Sequence, residues 1–360
     1  MSLDYSIKKS KWSNDDLFDI LIVLSFVLAQ FREISIIVPG LIFVYTAILK
    51  IRKARSIKRY EIFLFCTFWV SLIPGIYQSK NFLSLLHYAI FPILIFININ
   101  SGIRLKNSYL FISTIIILSC IVPNFGVNNR LMGLVGNENT NGVLAIFAYF
   151  LVYYYNKNTK IEKLFLIFTV IIVLLGKGRV NTLILTLFLI LKYLKFKRSY
   201  LVTIYFGVFF SLALIFLLYV YFPVTLEILS SITVGGRDVL SFERSDTYYF
   251  ILENIKNNVH CGLGEANNFI AGRASSSHNA FLRLGLEAGI VSMAMYIIIH
   301  FYYCLTAKCN KQLIIHISFI PLLMSATMWP WGGSILSSCW LVCAHLSGDS
   351  FLVANNRRIN

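Results

Sequence analysis

The chain has 360 residues, of which 58% are hydrophobic and only 13% charged, with a mean hydropathy of +0.73. Soluble domains carry about 25% charged residues, so this composition excludes an ordinary water-soluble fold and predicts an all-α polytopic membrane protein. The charges are lopsided, 32 Lys+Arg against 16 Asp+Glu for a formal +16, which argues against a multi-carboxylate Ca²⁺ or Mg²⁺ site and points to positive-inside topology rather than to nucleic acid.

Taken in order, the chain opens with a polar stretch, residues 1–16, and the apolar run behind it has no small-residue cleavage site, so no cleavable signal peptide is predicted. A span needs roughly 20 mostly apolar residues, fewer where it packs inside protein. Runs between charge clusters give candidates at 17–31, 34–49, 60–78, 82–99, 108–122, 141–155, 164–176, 180–194, 200–222, 285–304, 313–330 and 332–346. The pairs 17–49 and 313–346 can each be miscounted, so about twelve transmembrane helices are expected, with ten as the lower bound, in a single integral membrane domain covering 1–360. With both termini cytoplasmic, 22 of the 32 basic residues fall on the inner side. The other ten are Arg32, Lys80, Arg130, Lys177, Arg179, Arg237, Arg244, Lys256, Arg273 and Arg283. Five of them lie in one long polar segment, 223–284, predicted as a periplasmic loop between the ninth and tenth spans that carries short helices. Loops of that length are functional or disordered. This one holds the run TYYFILENI, which reads as a helix of two to three turns lying on or near the membrane face. The seven cysteines form no CxxC, and no HExxH spacing exists, so neither a disulfide scaffold nor a metal centre is indicated.

Four stretches can carry chemistry. NNRLMGLVGNENTNGVLAIF puts Asn137, Asn139 and Asn141 at the outward head of a middle span. These asparagines suit turn and N-cap chemistry and equally the recognition of sugar hydroxyls. LLGKGRVNTLILTLFL places Lys177 and Arg179 at the tip of a tight hairpin. Lys177 is as well explained by snorkelling as by function, whereas Arg179 begins a helix, where guanidinium and helix N-terminus together favour a phosphate. VGGRDVLSFERSD carries Arg237 and Arg244; by helical count they stand one to two turns apart and can face one ligand, unless each pairs with Asp238, Glu243 or Asp246. In SSSHNAFLRLGLEAGI, His278 and Asn279 head an amphipathic helix that aims Arg283 and Glu287 at the same cavity. His278 is a structural residue or a general base for a hydroxyl acceptor.

The segment from Arg244 through Tyr248, the Gly262-Leu263-Gly264 turn and His278-Asn279-Ala280-Phe281-Leu282 to Glu287-Ala288-Gly289-Ile290 resembles the signature of the O-antigen polymerase and O-antigen ligase superfamily. GKGRVNTLIL and GNENTNG look like that family's small-residue-Arg and Asn-rich motifs, so the likeness covers roughly residues 130–300. It departs from the pattern in NNVHCGLG, which lacks the usual Pro before the turn, and in IVSM after Glu287-Ala288-Gly289.

The resemblance implies a metal-independent, cofactor-free glycosyltransferase of the bacterial inner membrane, multi-pass, with its active site facing the periplasm. Its donor would be an undecaprenyl-pyrophosphate-linked oligosaccharide. His278 and Arg244 would be catalytic, Arg179, Arg237, Arg273 and Arg283 would hold the pyrophosphate, and Asn137, Asn139, Asn141, Tyr248, Asn279 and Glu287 would meet the saccharide. A polymerase joining repeat units is the leading expectation, with a chain-length regulator protein as the partner the family implies. The alternatives are a ligase that transfers polymer to lipid A-core and, outside enzymes, a flippase for the same lipid-linked saccharide. The flippase predicts paired halves and charges buried in mid-span, and no internal repeat is found.

Overall fold

A computed structural model describes residues 59–78, 108–156, 158–221, 233–234, 237–238, 245–258, 262–264, 279–307 and 309–325, with six single positions before residue 50. The predicted spans 17–31, 34–49, 82–99 and 332–346 lie outside the described residues, single positions apart. The described chain is mostly helical. Its helices are α1 (Arg59–Gln78), α2 (Tyr109–Ile121), α3 (Glu138–Tyr155), α4 (Thr159–Gly176), α5 (Arg179–Leu194), α6 (Arg198–Tyr221), α7 (Ser245–Asn257), α8 (Ala280–Ala288), α9 (Ile290–Thr306) and α10 (Asn310–Ser325). Two short antiparallel pairs accompany them, β1 (Phe125–Gly126) with β2 (Arg130–Leu131) and β3 (Thr233–Val234) with β4 (Arg237–Asp238).

α3 is the central post. Every residue from Thr140 to Tyr153 is buried, as befits a helix that is apolar all round. α2 and α4 flank it, α5 also touches it, and α10 packs against both α5 and α6. α8 and α9 lie against α1, and α7 bridges α6 and α8. Side-chain hydrogen bonds tie the helices. Thr169 Oγ1 donates to the Ala145 carbonyl at 3.2 Å between α4 and α3. Ser292 Oγ donates to the Ser71 carbonyl at 2.6 Å between α9 and α1. Small polar residues at helix contacts are what lets apolar helices associate without a hydrophobic driving force.

The bundle turns apolar side chains outward and polar ones inward. α4 exposes Leu164, Ile167, Ile171 and Leu174 as a stripe, and α6 exposes Phe210, Leu214, Leu217 and Leu218, whereas Ser113, Asn141, Thr169, Gln312 and Ser318 are wholly buried. By length and composition α6 is the one described helix able to cross a membrane unaided, its best window being 17% buried; α1, α2 and α9 carry shorter apolar stretches.

The run 285–304, predicted as one span, is two helices. Gly289 separates α8 from α9 with φ 91° and ψ 169°, a conformation essentially reserved for glycine. The other described boundaries fall within a few residues of prediction. α5 starts at Arg179 after a two-residue connection, as the hairpin reading requires.

Candidate functional site

One end of the bundle gathers a polar mouth at the starts of α3 and α5. Asn137 caps α3, its extended backbone letting its side-chain oxygen accept from the Thr140 N–H at 3.0 Å. Glu138 follows in the first turn and takes Arg130 Nη1 of β2 at 3.0 Å. Arg130 is buried, and its Nε has no hydrogen-bond partner among the described residues. Asn141 donates through Nδ2 to the Cys120 carbonyl of α2 at 3.0 Å, and its Oδ1 likewise has no partner among the described residues. The Asn139 side chain is exposed, while its backbone carbonyl accepts from Asn181 Nδ2 of α5 at 3.0 Å. Lys177 closes α4 in the left-handed conformation, φ 50°, and donates through Nζ to the Asn128 carbonyl at 3.1 Å. Arg179, exposed, stands two residues before Asn181. The structure thus brings Asn137, Asn139, Asn141 and Arg179 to one mouth.

A second assembly is built on α8. Asn279 is its N-cap, accepting at Oδ1 from the N–H groups of Phe281 and Leu282 at 3.0 and 3.1 Å. A turn further on, Arg283 Nε donates to Glu287 Oε1 at 2.8 Å, with side chains only 4% and 2% exposed. Burying one charge alone costs several kcal/mol, so each member of the pair makes the other tolerable. The positive charge of Arg283 is accordingly offset by Glu287 before any anion is considered.

The far end of α8 is clasped by the Gly-Leu-Gly turn. The N–H of Leu263 donates to the Leu286 carbonyl at 2.7 Å and that of Gly264 to the Glu287 carbonyl at 3.0 Å, satisfying carbonyls that a helix end leaves open. Gly262 has φ 65°, and a Cβ there would stand 2.6 Å from the Ala288 nitrogen and the Glu287 carbonyl. Gly75 of α1 approaches the same peptide from another side, with its notional Cβ 2.6 Å from Ala288 Cα and from the Glu287 oxygen. α10 packs against both α5 and α8 and so links the two assemblies.

At the opposite end of the bundle, three cations meet acceptors in a knot. Lys192 Nζ bonds Glu162 Oε1 and, at 3.0 Å, the Tyr149 hydroxyl. Lys311 Nζ donates to the Tyr153 carbonyl at 2.7 Å and lies 4.7 Å from the centroid of the Tyr153 ring, close enough for a cation–π contact. Arg198 Nη2 reaches the Ala307 carbonyl. Lys192, Arg198 and Lys311 are all among the residues assigned to the cytoplasmic side from charge alone.

Of the remaining predicted site residues, Arg244, Arg273 and His278 lie outside the described residues, as do the side chains of Arg237 and Tyr248. The backbone of Arg237 is nevertheless placed, and it corrects one expectation. Arg237 pairs with Val234 across an extended hairpin, so helical counting does not relate it to Arg244. The intervening sequence is Gly-Gly, the composition that two-residue hairpins favour. Sequence reasoning missed Asn181, although it lies within the quoted GKGRVNTLIL motif. It also missed Gly75, for which no local signal exists, since its contact is with residues more than two hundred positions away. No protein-family model matches the chain, and no curated protein matches it.

Proposed function

We propose that the chain is an O-antigen polymerase, a multi-pass glycosyltransferase of the bacterial inner membrane with about twelve spans. It elongates polysaccharide on the periplasmic face from undecaprenyl-pyrophosphate-linked repeat units. The observation that carries the reading is the clasp between the Gly-Leu-Gly turn and α8. Two sequence stretches paired by the family resemblance, about twenty residues apart, are hydrogen-bonded to each other, with Asn279 at the head of the same helix. Membrane residence is supported by the exposed apolar stripes of α4 and α6 over buried polar groups, an arrangement that is unfavourable in water. Sidedness is supported by the gathering of Lys192, Arg198 and Lys311 at one end and of Arg179 and the asparagine-rich mouth at the other.

In this mechanism the leaving diphosphate develops charge as the glycosidic bond to it breaks, and cations fixed beforehand stabilise that charge. Arg179 and Arg244 are assigned this part, together with Arg237 and Arg273. His278 takes the proton of the attacking sugar hydroxyl. Arg283 and Glu287 hold α8 in shape rather than supplying net charge, and Asn137, Asn139 and Asn141 frame the mouth where saccharide enters. No metal enters any step.

Purified chain reconstituted with a synthetic lipid-linked repeat unit should lengthen it. Arg244→Ala and His278→Ala should each lower the rate at least about a hundredfold while leaving expression unchanged. Wild-type polymer length from either variant, or no elongation by the wild type, would overturn the proposal. A deletion strain separates polymerase from ligase. Lipopolysaccharide of core plus one repeat marks a lost polymerase, and bare core with accumulated lipid-linked polymer marks a lost ligase.

A further inference from the structure

We infer that an open groove between α5, α6 and α10 seats the isoprenoid tail of the lipid diphosphate whose head lies at Arg179, an assignment that rests on the donor proposed above. The groove encloses about 420 Å³ and is lined by Leu183, Leu187, Gly207, Ser211, Leu212 and Pro321, among others, with almost wholly apolar walls. Leu183 and Leu187 follow Arg179 on α5 at successive four-residue steps, so the three share one helix face, each about 6 Å further along the axis than the last. A cation therefore stands at the head of an apolar channel.

That gradient, from fixed positive charge to oil, complements one class of molecule: a single long hydrocarbon chain ending in a strongly anionic group. The planar fork of an arginine engages phosphate oxygens in pairs, and a diphosphate offers two such groups on one chain. A bilayer phospholipid instead divides its apolar mass between two acyl chains under one phosphate. The match in charge selects the polyprenyl diphosphate as occupant.

Two sequence features open the groove. Gly207 leaves α6 without a side chain at this level, and a Cβ built there would meet no atom of the described residues within 4 Å. Pro321 stands inside α10, where its missing N–H removes a helix hydrogen bond and loosens the turn beside it. Among the described residues nothing fills the space facing Gly207, so a larger side chain at this position projects into the groove.

The test uses the full chain in nanodiscs, photolabelled with undecaprenyl diphosphate bearing a diazirine in the isoprene units nearest the head. Labelled residues are mapped by mass spectrometry. Labelling is expected on the groove faces of α5 and α6. It should fall about tenfold in Gly207→Phe and in Arg179→Gln, and progressively through Gly207→Ala and Gly207→Leu. Ser211→Leu narrows the same groove from the same helix and gives a second reading should Gly207→Phe fold poorly. Labelling mapped elsewhere, or undiminished in both Gly207→Leu and Ser211→Leu, overturns the groove assignment. So does equal labelling of these residues by a diazirine phosphatidylglycerol, which would make the groove a seat for bulk bilayer lipid. Failure here is distinct from failure of the glycosyltransferase reading. Elongation by a wild-type chain whose groove is not labelled overturns the groove alone. Groove labelling by a wild-type chain that elongates nothing upholds the groove and removes the polymerase.

Discussion

At position 279 a single carboxamide oxygen accepts from two backbone N–H groups at the start of α8. Asn279→Ala strands both donors in a buried setting and should lower stability by about 1 to 2 kcal/mol, read as a drop in the midpoint of thermal unfolding in detergent. Asn279→Asp keeps the acceptor and should stay within about 0.5 kcal/mol of the wild type. Equal midpoints for the two variants would deny the cap its part. The Arg283 and Glu287 pair makes a sharper demand. With both side chains almost fully enclosed, Arg283→Ala or Glu287→Ala leaves an uncompensated charge and should cost about 3 kcal/mol or more. The double change Arg283→Met with Glu287→Leu should recover most of that loss, because the cost belongs to the unpaired charge. A double variant no better than the worse single one would mean that the two residues act independently.

The joint between the Gly-Leu-Gly turn and α8 belongs to the element scale, because two backbones meet there. Gly75→Ala and Gly262→Ala both push a methyl to within 2.6 Å of main-chain atoms around Glu287 and Ala288. Each should destabilise by about 1 to 3 kcal/mol, with Gly262→Ala the worse since its φ of 65° also disfavours a side chain. Gly207→Ala, whose methyl meets none of the described residues within 4 Å, serves as the comparison, and a midpoint lowered as far in this variant would sink the argument from close approach. The starts of α3 and α5 were legible because polar residues and glycines punctuate long apolar runs at Asn137 and Gly178. The division of α8 from α9 was not, since the lone charge of Glu287 does not interrupt an otherwise apolar run from Leu284 to Ile299 and one glycine's dihedral makes the break. The extended pairing of Arg237 with Val234 was equally hidden, because a short polar segment holds no periodicity long enough to tell strand from helix. In the candidate site the sequence supplied the asparagines of the mouth, but which of their groups are spent on capping and which face outward depends on neighbours such as Asn181 and Cys120.

Across the described residues, the bundle has apolar flanks and two polar ends of different character. One end gathers amides around Arg179, and the other gathers lysines around a single acid. An impermeant maleimide applied to intact spheroplasts of a cysteine-free chain should therefore label Lys177→Cys, whereas Lys195→Cys should react only after permeabilisation. Labelling of both from outside would contradict the two-sided arrangement. The lysine-rich end also carries a timetable. Glu162 finds Lys192 only 30 positions later, whereas Lys311 reaches Tyr153 from 158 positions downstream. As the chain leaves the ribosome, α4 and α5 can therefore pair the half-buried Glu162 with material already made, a local contact of the kind that forms early. Lys311 arrives more than a hundred residues later, when α10 emerges, and fastens to a platform that was neutralised before it existed.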